Sequence, residues 1–319
     1  MRWRKLGLTF SPQKDSTSHW MAEFAQAPHV QTFEDRFRVY FATRSLPDSD
    51  GQYLSRIGWV ELDRQDPTQV LRVAGQPVLG LGQRGCFDEF GTYPASMVSV
   101  GEDLWMFYGG WTRRTTVPFD VAIGVAISHD GGDSFQRVGP GPVLGFSPEE
   151  PFVVSGPKVR RFSNIWYLFY IAGRRWIEHG GRLDPVYKIR LATSSDGIHW
   201  TRHNQDLIPD RLGADEAQAS PDVYFDGQLF HMFFCYREGI DFRSPGRGYR
   251  IGYASSLDLF NWHRRDSAAG LGLSRDGWDS ESMSYPHLFS ADDKIYMAYL
   301  GNNVGRFGFG LAVLEGGLR

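Results

Sequence analysis

The chain has 319 residues, 22% of them charged, and a formal net charge of −3 at pH 7. That balance creates no global basic field to draw in nucleic acid or an acidic membrane surface. Only Cys86 and Cys235 are present and they make no CxxC pair, which excludes a disulfide framework or a zinc knuckle and points to a reducing compartment.

Length alone suits one large domain or two ordinary ones. Aromatics at 15%, with 37 Gly and 17 Pro, favour many short strands and tight turns over long helices. The N-terminal run MRWRKLGLTFSPQKD is charged and has no apolar signal core, and no segment approaches a membrane span. The expected protein is soluble and cytoplasmic, with no membrane or nucleic-acid partner and no cofactor.

A repeat organises the chain. A proline precedes an apolar strand at Pro28, Pro94, Pro157, Pro221 and Pro286, in steps of 66, 63, 64 and 65 residues. Each is followed by a turn and an aromatic-rich run: FRVYFATR, LWMFYGGW, IWYLFYIAGR, LFHMFFCYR and IYMAYLGNN. Third strands follow at IGWVEL, IGVAIS, IRLATS, IGYASS and FGLAVL. Fourth strands are expected in QVLRVAGQPVLG, SFQRVGPGPVLG, HWTRHNQDLIP and NWHRRDSAAGL, three of them after a turn of the Ser-Asp-Gly kind. The last unit lacks a fourth strand of its own. The segment Met1–Leu6 has the aromatic–x–basic look of HWTRH and is expected to supply it. The predicted fold is all-β: a single five-bladed β-propeller over residues 1–319, built of four-stranded antiparallel blades. The N-terminal strand, about residues 1–10, completes the fifth blade and closes the ring.

In such a ring the starts of the first strands and the ends of the second strands meet at one mouth of the axis, a concave place for a ligand. Five residues before the prolines stand Glu23, Glu89, Phe152, Glu216 and Glu281, with Asp88, Glu150, Asp215 and Asp279 nearby. Directly after the prolines stand His29, Ala95, Lys158, Asp222 and His287. An extended strand would put offsets −5, −1 and +1 on one side. Second strands end on Arg44, Trp111, Arg174, Arg237 and Asn302. Several carboxylates around one pocket are what glycoside cleavage uses, one as proton donor and one as base or nucleophile. The same carboxylates also suit structural pairing with the arginines. The basic groups suit a carboxylate or phosphate, or equally the neutralisation of the acids. His29 and His287 read as hydrogen-bonding residues, not metal ligands. Tyr93, Trp111 and Trp176 suit stacking on a sugar ring.

SPDV, SGPKV…WYLFYIAG and ATSSDGIHW together resemble the five-bladed propeller glycoside hydrolases, the clan around families 32, 43 and 68, and the related phosphorylase family 130. The likeness runs through residues 19–315. Family 43 places acids in Asp-Pro, Pro-Asp-Val and Glu-Gly-Pro motifs of the first three blades. Here those places read Ala27-Pro28, Pro94-Ala95 and Ser155-Gly156-Pro157, and the Pro-Asp-Val aspartate, Asp222, falls in the fourth blade. The resemblance implies a glycosidase-like enzyme acting on a small or nucleotide-linked sugar. Glu23, Glu89, Glu150 and Asp222 are the expected acid/base residues. His29, Arg44, Tyr93, Trp111, Lys158, Arg174, Glu216, Arg237, Glu281 and His287 are expected to bind a carbohydrate or sugar phosphate. Two alternatives stand beside it: an inverting glycoside phosphorylase, and a sugar-binding propeller without catalysis.

Overall fold

The computed structural model describes residues 1–244 and 246–318, with the side chain of Pro94 outside the described atoms. The first strand, β1 (Trp3–Phe10), belongs to the last sheet. Blade one is β2 (Glu23–Thr32), β3 (Arg36–Arg44), β4 (Ser55–Asp63) and β5 (Val70–Val73). Blade two is β6 (Thr92–Val100), β7 (Asp103–Arg113), β8 (Phe119–Ser128) and β9 (Gln136–Arg137). Blade three is β10 (Val154–Phe162), β11 (Ile165–His179), β12 (Arg182–Ser194) and β13 (Thr201–Arg202). Blade four is β14 (Ala217–Phe225), β15 (Phe230–Arg237), β16 (Arg250–Ser256) and β17 (His263–Arg264). Blade five is β18 (Ser284–Ala291), β19 (Lys294–Leu300) and β20 (Phe309–Leu314), closed by β1. Each is a separate four-stranded antiparallel sheet, so the molecule is the five-bladed propeller that the repeat predicts.

The closing strand pairs along β20 from Trp3 opposite Leu314 to Phe10 opposite Phe309. Trp3 locks it: its indole N–H reaches the Ala269 carbonyl at 2.9 Å and its ring meets Phe233 of blade four edge-on at 5.8 Å. The aromatic second strands provide the packing between blades. Trp105 and Trp166, from adjacent blades, lie 5.4 Å apart and Phe107 meets Trp166 at 5.9 Å. Edge-to-face and tilted pairs of this kind add to the area they bury.

The outer strands are much shorter than expected. β9, β13 and β17 have two residues each, too few for a ladder to hold them. Side chains do so instead. In blade three Glu150 accepts from Tyr170 Oη on β11 (2.7 Å), Arg190 Nη1 on β12 (2.8 Å) and Arg202 Nε on β13 (2.9 Å). Asp88 repeats this with Tyr108 Oη at 3.1 Å and Arg137 Nη2 at 2.6 Å. Glu216 takes Arg264 Nη1 at 2.6 Å. Asp279 takes Tyr299 Oη at 3.0 Å and Lys5 Nζ at 2.6 Å. In each of these four latches the cation on the outermost strand sits two residues after an aromatic: Phe135-x-Arg137, Trp200-x-Arg202, Trp262-x-Arg264 and Trp3-x-Lys5. Blade one has no such latch; Arg72 pairs with Glu61 at 3.0 Å.

Candidate functional site

The first strand of every blade carries the same β-bulge at its start. Ala219 and Asp222 face Cys235 and Phe233, three steps on one strand against two on the other. Gln26/His29, Thr92/Ala95, Ser155/Lys158 and Ser284/His287 repeat the offset. The residue before the proline takes a left-handed backbone in four blades: Ala27 (φ 52°), Gly156 (φ 63°), Ser220 (φ 50°) and Tyr285 (φ 53°). For the three non-glycine residues this costs about 1–3 kcal/mol each. The extra residue breaks the alternation assumed for an extended strand and re-aims its neighbours. Residues just before the proline line an open cavity, whereas those just after it are buried at the ring axis.

The axial group brings together four of the expected residues, each from a different blade. His29 and His287 stack with ring centroids 4.2 Å apart. His287 Nδ1 lies 3.0 Å from Asp222 and 3.3 Å from Lys158 Nζ. Asp222 also accepts from Arg160 and from the Leu288 N–H, and the Met97 N–H donates to His29 Nε2 at 3.3 Å. All four are at most 3% exposed. Burial raises the Asp222 carboxyl, but Arg160, His287 and Lys158 outweigh it and hold it below the usual carboxylate range. Burial pushes Lys158 down to about 8 and His287 to about 4, with Asp222 opposing both shifts. His29 is depressed as well, by burial and then by His287, Lys158 and Arg160.

These shifts give stability a pH dependence. An unfolded histidine protonates near 6.5, whereas folded His287 resists protonation down to about 4. Between those values the unfolded chain binds the extra proton, so the His287 contribution to stability is full above pH 6.5 and falls as pH drops toward 4. For His287 the loss reaches about 3 kcal/mol. Urea unfolding midpoints of the wild-type chain are expected to decline across this window, and to decline less in His287→Gln. An equal decline in the variant would refute the assignment.

Above the axial group lies a cavity of ≈ 610 Å³ at the mouth of the ring. Phe24, Gln26, Arg44, Tyr93, Ser155, Ser220 and Tyr285 contribute from the starts and ends of inner strands; Tyr53, Phe242, Arg243 and Arg306 come from loops. The phenols pair: Tyr93 with Tyr285, and Tyr187 with Tyr249. Trp111 donates to Ser55 Oγ at 2.7 Å. Two carboxylates stand in the wall, Asp184 and Glu281. Asp184 is held by Arg243 through both oxygens at 2.8 and 2.9 Å. Glu281 is exposed. Its main chain is pinned on both sides, the N–H by Asn302 Oδ1 at 2.8 Å and the carbonyl by Arg250 Nη1 at 3.0 Å. Its carboxylate has no arginine partner among the described residues.

No family model matches the chain. Over 317 residues, 99% of this chain and the whole of the other, it is 36% identical to the Mycobacterium tuberculosis protein named uncharacterized protein Rv1502. The chain belongs to the Rv1502 family. Two further relatives of this Rv1502-family chain match over part of their length. A β-1,2-mannobiose phosphorylase from Thermoanaerobacter is 24% identical over 51% of this chain and 54% of its own. A probable sucrose-6-phosphate hydrolase from Vibrio cholerae is 32% identical over 46% of this chain and 25% of its own. Among solved structures, a glycoside hydrolase superposes with TM-score 0.75 at 16% identity, covering 98% of this chain and 92% of the other. A glycosyl hydrolase from Bacteroides ovatus gives 0.73 at 14%, covering 98% and 93%. A structure from the family 130 mannoside phosphorylases and hydrolases gives 0.70 at 13%, covering 98% and 93%. These structural likenesses show the propeller fold.

Of the remaining expected residues, Arg44, Tyr93, Trp111, Arg237 and Glu281 line the cavity of this Rv1502-family propeller. Arg237 is committed there: it donates to Tyr249 Oη (3.0 Å) and to the Pro185 (3.1 Å) and Glu238 (2.8 Å) carbonyls, with its Cζ 3.7 Å from the Phe242 centroid. Glu150 and Glu216 do not reach the cavity; both are fully buried in latches. Glu23 sits behind the wall, bonded to Tyr53 Oη at 3.2 Å and Arg306 Nη2 at 2.8 Å. Glu89 accepts from the Gly85 N–H (2.9 Å) and Thr112 Oγ1 (2.8 Å), and Arg174 pairs with Asp206. Trp176 stacks edge-on against Phe119 at 5.3 Å. Gln26, Tyr53, Asp184, Tyr187, Tyr249 and Tyr285 were not expected. Only Gln26 and Tyr285 lie on the repeated strand start where a sequence signal existed.

Proposed function

We propose that this protein is a carbohydrate-active enzyme that cleaves a glycosidic bond of a small saccharide or sugar derivative held in the mouth cavity. The observation that carries this reading is the cavity itself. Its size falls within the range of small-molecule sites, and its wall mixes aromatic faces with a few fixed polar groups, the composition that suits a sugar ring. In this reading Glu281 is the proton-transferring carboxyl, with Asp184 as the second acid. Glu150 has a structural role, and Asp222 with His29, Lys158 and His287 supports the cavity from below. The glycosidase and phosphorylase names of the partial relatives support glycosidic chemistry. Both cysteines are free, Cys235 buried and Cys86 half-buried, which supports action in a reducing, cytoplasmic compartment.

The pairing of Asp184 with Arg243 and of Glu23 with Arg306 favours a second reading, in which the propeller binds a sugar without cleaving it. The two readings separate by incubating the protein with a panel of disaccharides and nitrophenyl glycosides, with and without inorganic phosphate. Release of free sugar without phosphate supports hydrolysis, and a sugar phosphate formed only with phosphate supports phosphorolysis. Saturable binding with no product in either condition supports the binding protein.

A further inference from the structure

We propose that the ligand of the mouth cavity is a saccharide bearing a carboxylate or phosphate, with Arg44 receiving the oxyanion and Gln26 accepting a hydrogen bond from a sugar hydroxyl. This rests on the carbohydrate reading of the cavity given above and adds the charge of the ligand. Arg44 ends β3 and lines the cavity. Its guanidinium lies 4.5 Å from the Phe24 centroid and 5.3 Å from that of Tyr53. Aromatic faces support a cation but accept none of its in-plane N–H groups. The buried Nε has no hydrogen-bond acceptor, and no carboxylate among the described residues pairs with this arginine.

The other arginines of the wall are spoken for. Arg243 takes Asp184, Arg306 takes Glu23, and Arg237 is spent on carbonyl and phenol oxygens. Among the wall arginines, Arg44 alone has no hydrogen-bond acceptor and no ion pair among the described residues; Glu23 acts on it only through space. Unpaired buried groups of this kind are costly unless a ligand completes them. A planar fork of N–H donors matches the two oxygens of a carboxylate or phosphate.

Gln26 supplies the complementary demand. Its Nε2 donates to the Val304 carbonyl at 2.6 Å, which fixes the amide, and its buried Oε1 has no donor. The cavity therefore offers an unfilled oxyanion receptor and an unfilled hydroxyl acceptor in one blade. At ≈ 610 Å³ it is far larger than an inorganic anion requires. An oxyanion carried on a polyhydroxylated ring meets all three conditions.

The test is calorimetric titration of the full chain at low salt with glucose, mannose, glucuronate, glucose 6-phosphate, mannose 6-phosphate and inorganic phosphate. At least one anionic sugar is expected to bind more tightly than its neutral parent. Arg44→Leu is expected to weaken that ligand about 10- to 150-fold without affecting a neutral sugar, and Arg44→Lys to restore part of the loss. Gln26→Ala is expected to weaken the anionic sugar and leave inorganic phosphate unchanged. Unfolding midpoints of each variant separate a lost contact from a lost fold. Neutral sugars binding as well as anionic ones, with Arg44→Leu silent, would overturn the inference and leave the carbohydrate reading standing. Inorganic phosphate binding as tightly as the sugar phosphates, with Gln26→Ala silent, would overturn the claim that the sugar carries the anion. Failure of every probe would remove both readings.

Discussion

Glu150→Ala is expected to destabilise the folded chain by about 3–5 kcal/mol, the usual cost of removing one partner from a buried ionic group. The carboxylate is 0% exposed and binds Arg190, Arg202 and Tyr170 together. Its removal leaves the Arg190 and Arg202 side chains, 4% and 21% exposed, without this shared anion. Arg190 retains Asp206 at 3.1 Å. Arg202 keeps only carbonyl contact, to Gly145, so β13 retains its two ladder pairs to β12 but loses its side-chain latch. The measurement is chemical unfolding of the wild type and the variant, with binding assayed under conditions where both are folded. Stability unchanged with ligand chemistry abolished would contradict the latch and return Glu150 to the reacting centre.

Glu281→Gln is expected to behave in the opposite way. Loss of a positioned general acid or base typically costs 10²- to 10⁴-fold in rate. Among the described residues, the exposed Glu281 side chain makes no ion pair whose loss would unsettle the fold. Its backbone anchors, Asn302 and Arg250, are untouched by the substitution. Turnover of whichever saccharide is cleaved is therefore expected to collapse while the unfolding midpoint stays within error. Asp184→Asn, which breaks the bidentate pair with Arg243, is expected to affect both. A fully active Glu281→Gln protein would remove Glu281 from the mechanism and favour sugar binding alone.

The repeat period made the ring legible because packing between blades demands the same aromatic second strand in each copy. The outer strands were less legible. Their segments read as strands of eleven or so residues, whereas β9, β13 and β17 have two. The aromatic–x–basic pattern marked the place correctly, and its physical content is the latch: the aromatic packs inward and the cation reaches back to Asp88, Glu150, Glu216 or Asp279. Carboxylates that recur once per blade are, for four blades, the acceptors of that cation.

The site was harder to read, for two physical reasons. A single extra residue per first strand leaves the spacing of the prolines intact, so the bulge cannot be seen in the period. Gly156 is the one glycine at the left-handed position; Ala27, Ser220 and Tyr285 adopt it without any sequence flag. The bulge divides residues expected to share one side: Gly156, Ser220 and Tyr285 line the cavity, while Lys158, Asp222 and His287 are buried at the axis. Second, Tyr53, Phe242, Arg243 and Arg306 arrive on loops that differ from blade to blade, where no repeat predicts them. What could be read was the end of the second strand, which delivered Arg44, Trp111 and Arg237 to the cavity as expected.

The most direct measurement is a crystal structure of the protein soaked with an anionic monosaccharide that it binds in solution. The expected result is density for the sugar in the mouth cavity, its oxyanion within hydrogen-bond distance of Arg44 and a hydroxyl on Gln26 Oε1, with Glu281 facing the ring. Density for the same sugar on another face of the propeller, with the cavity holding only solvent, would contradict the assignment of this cavity as the functional site.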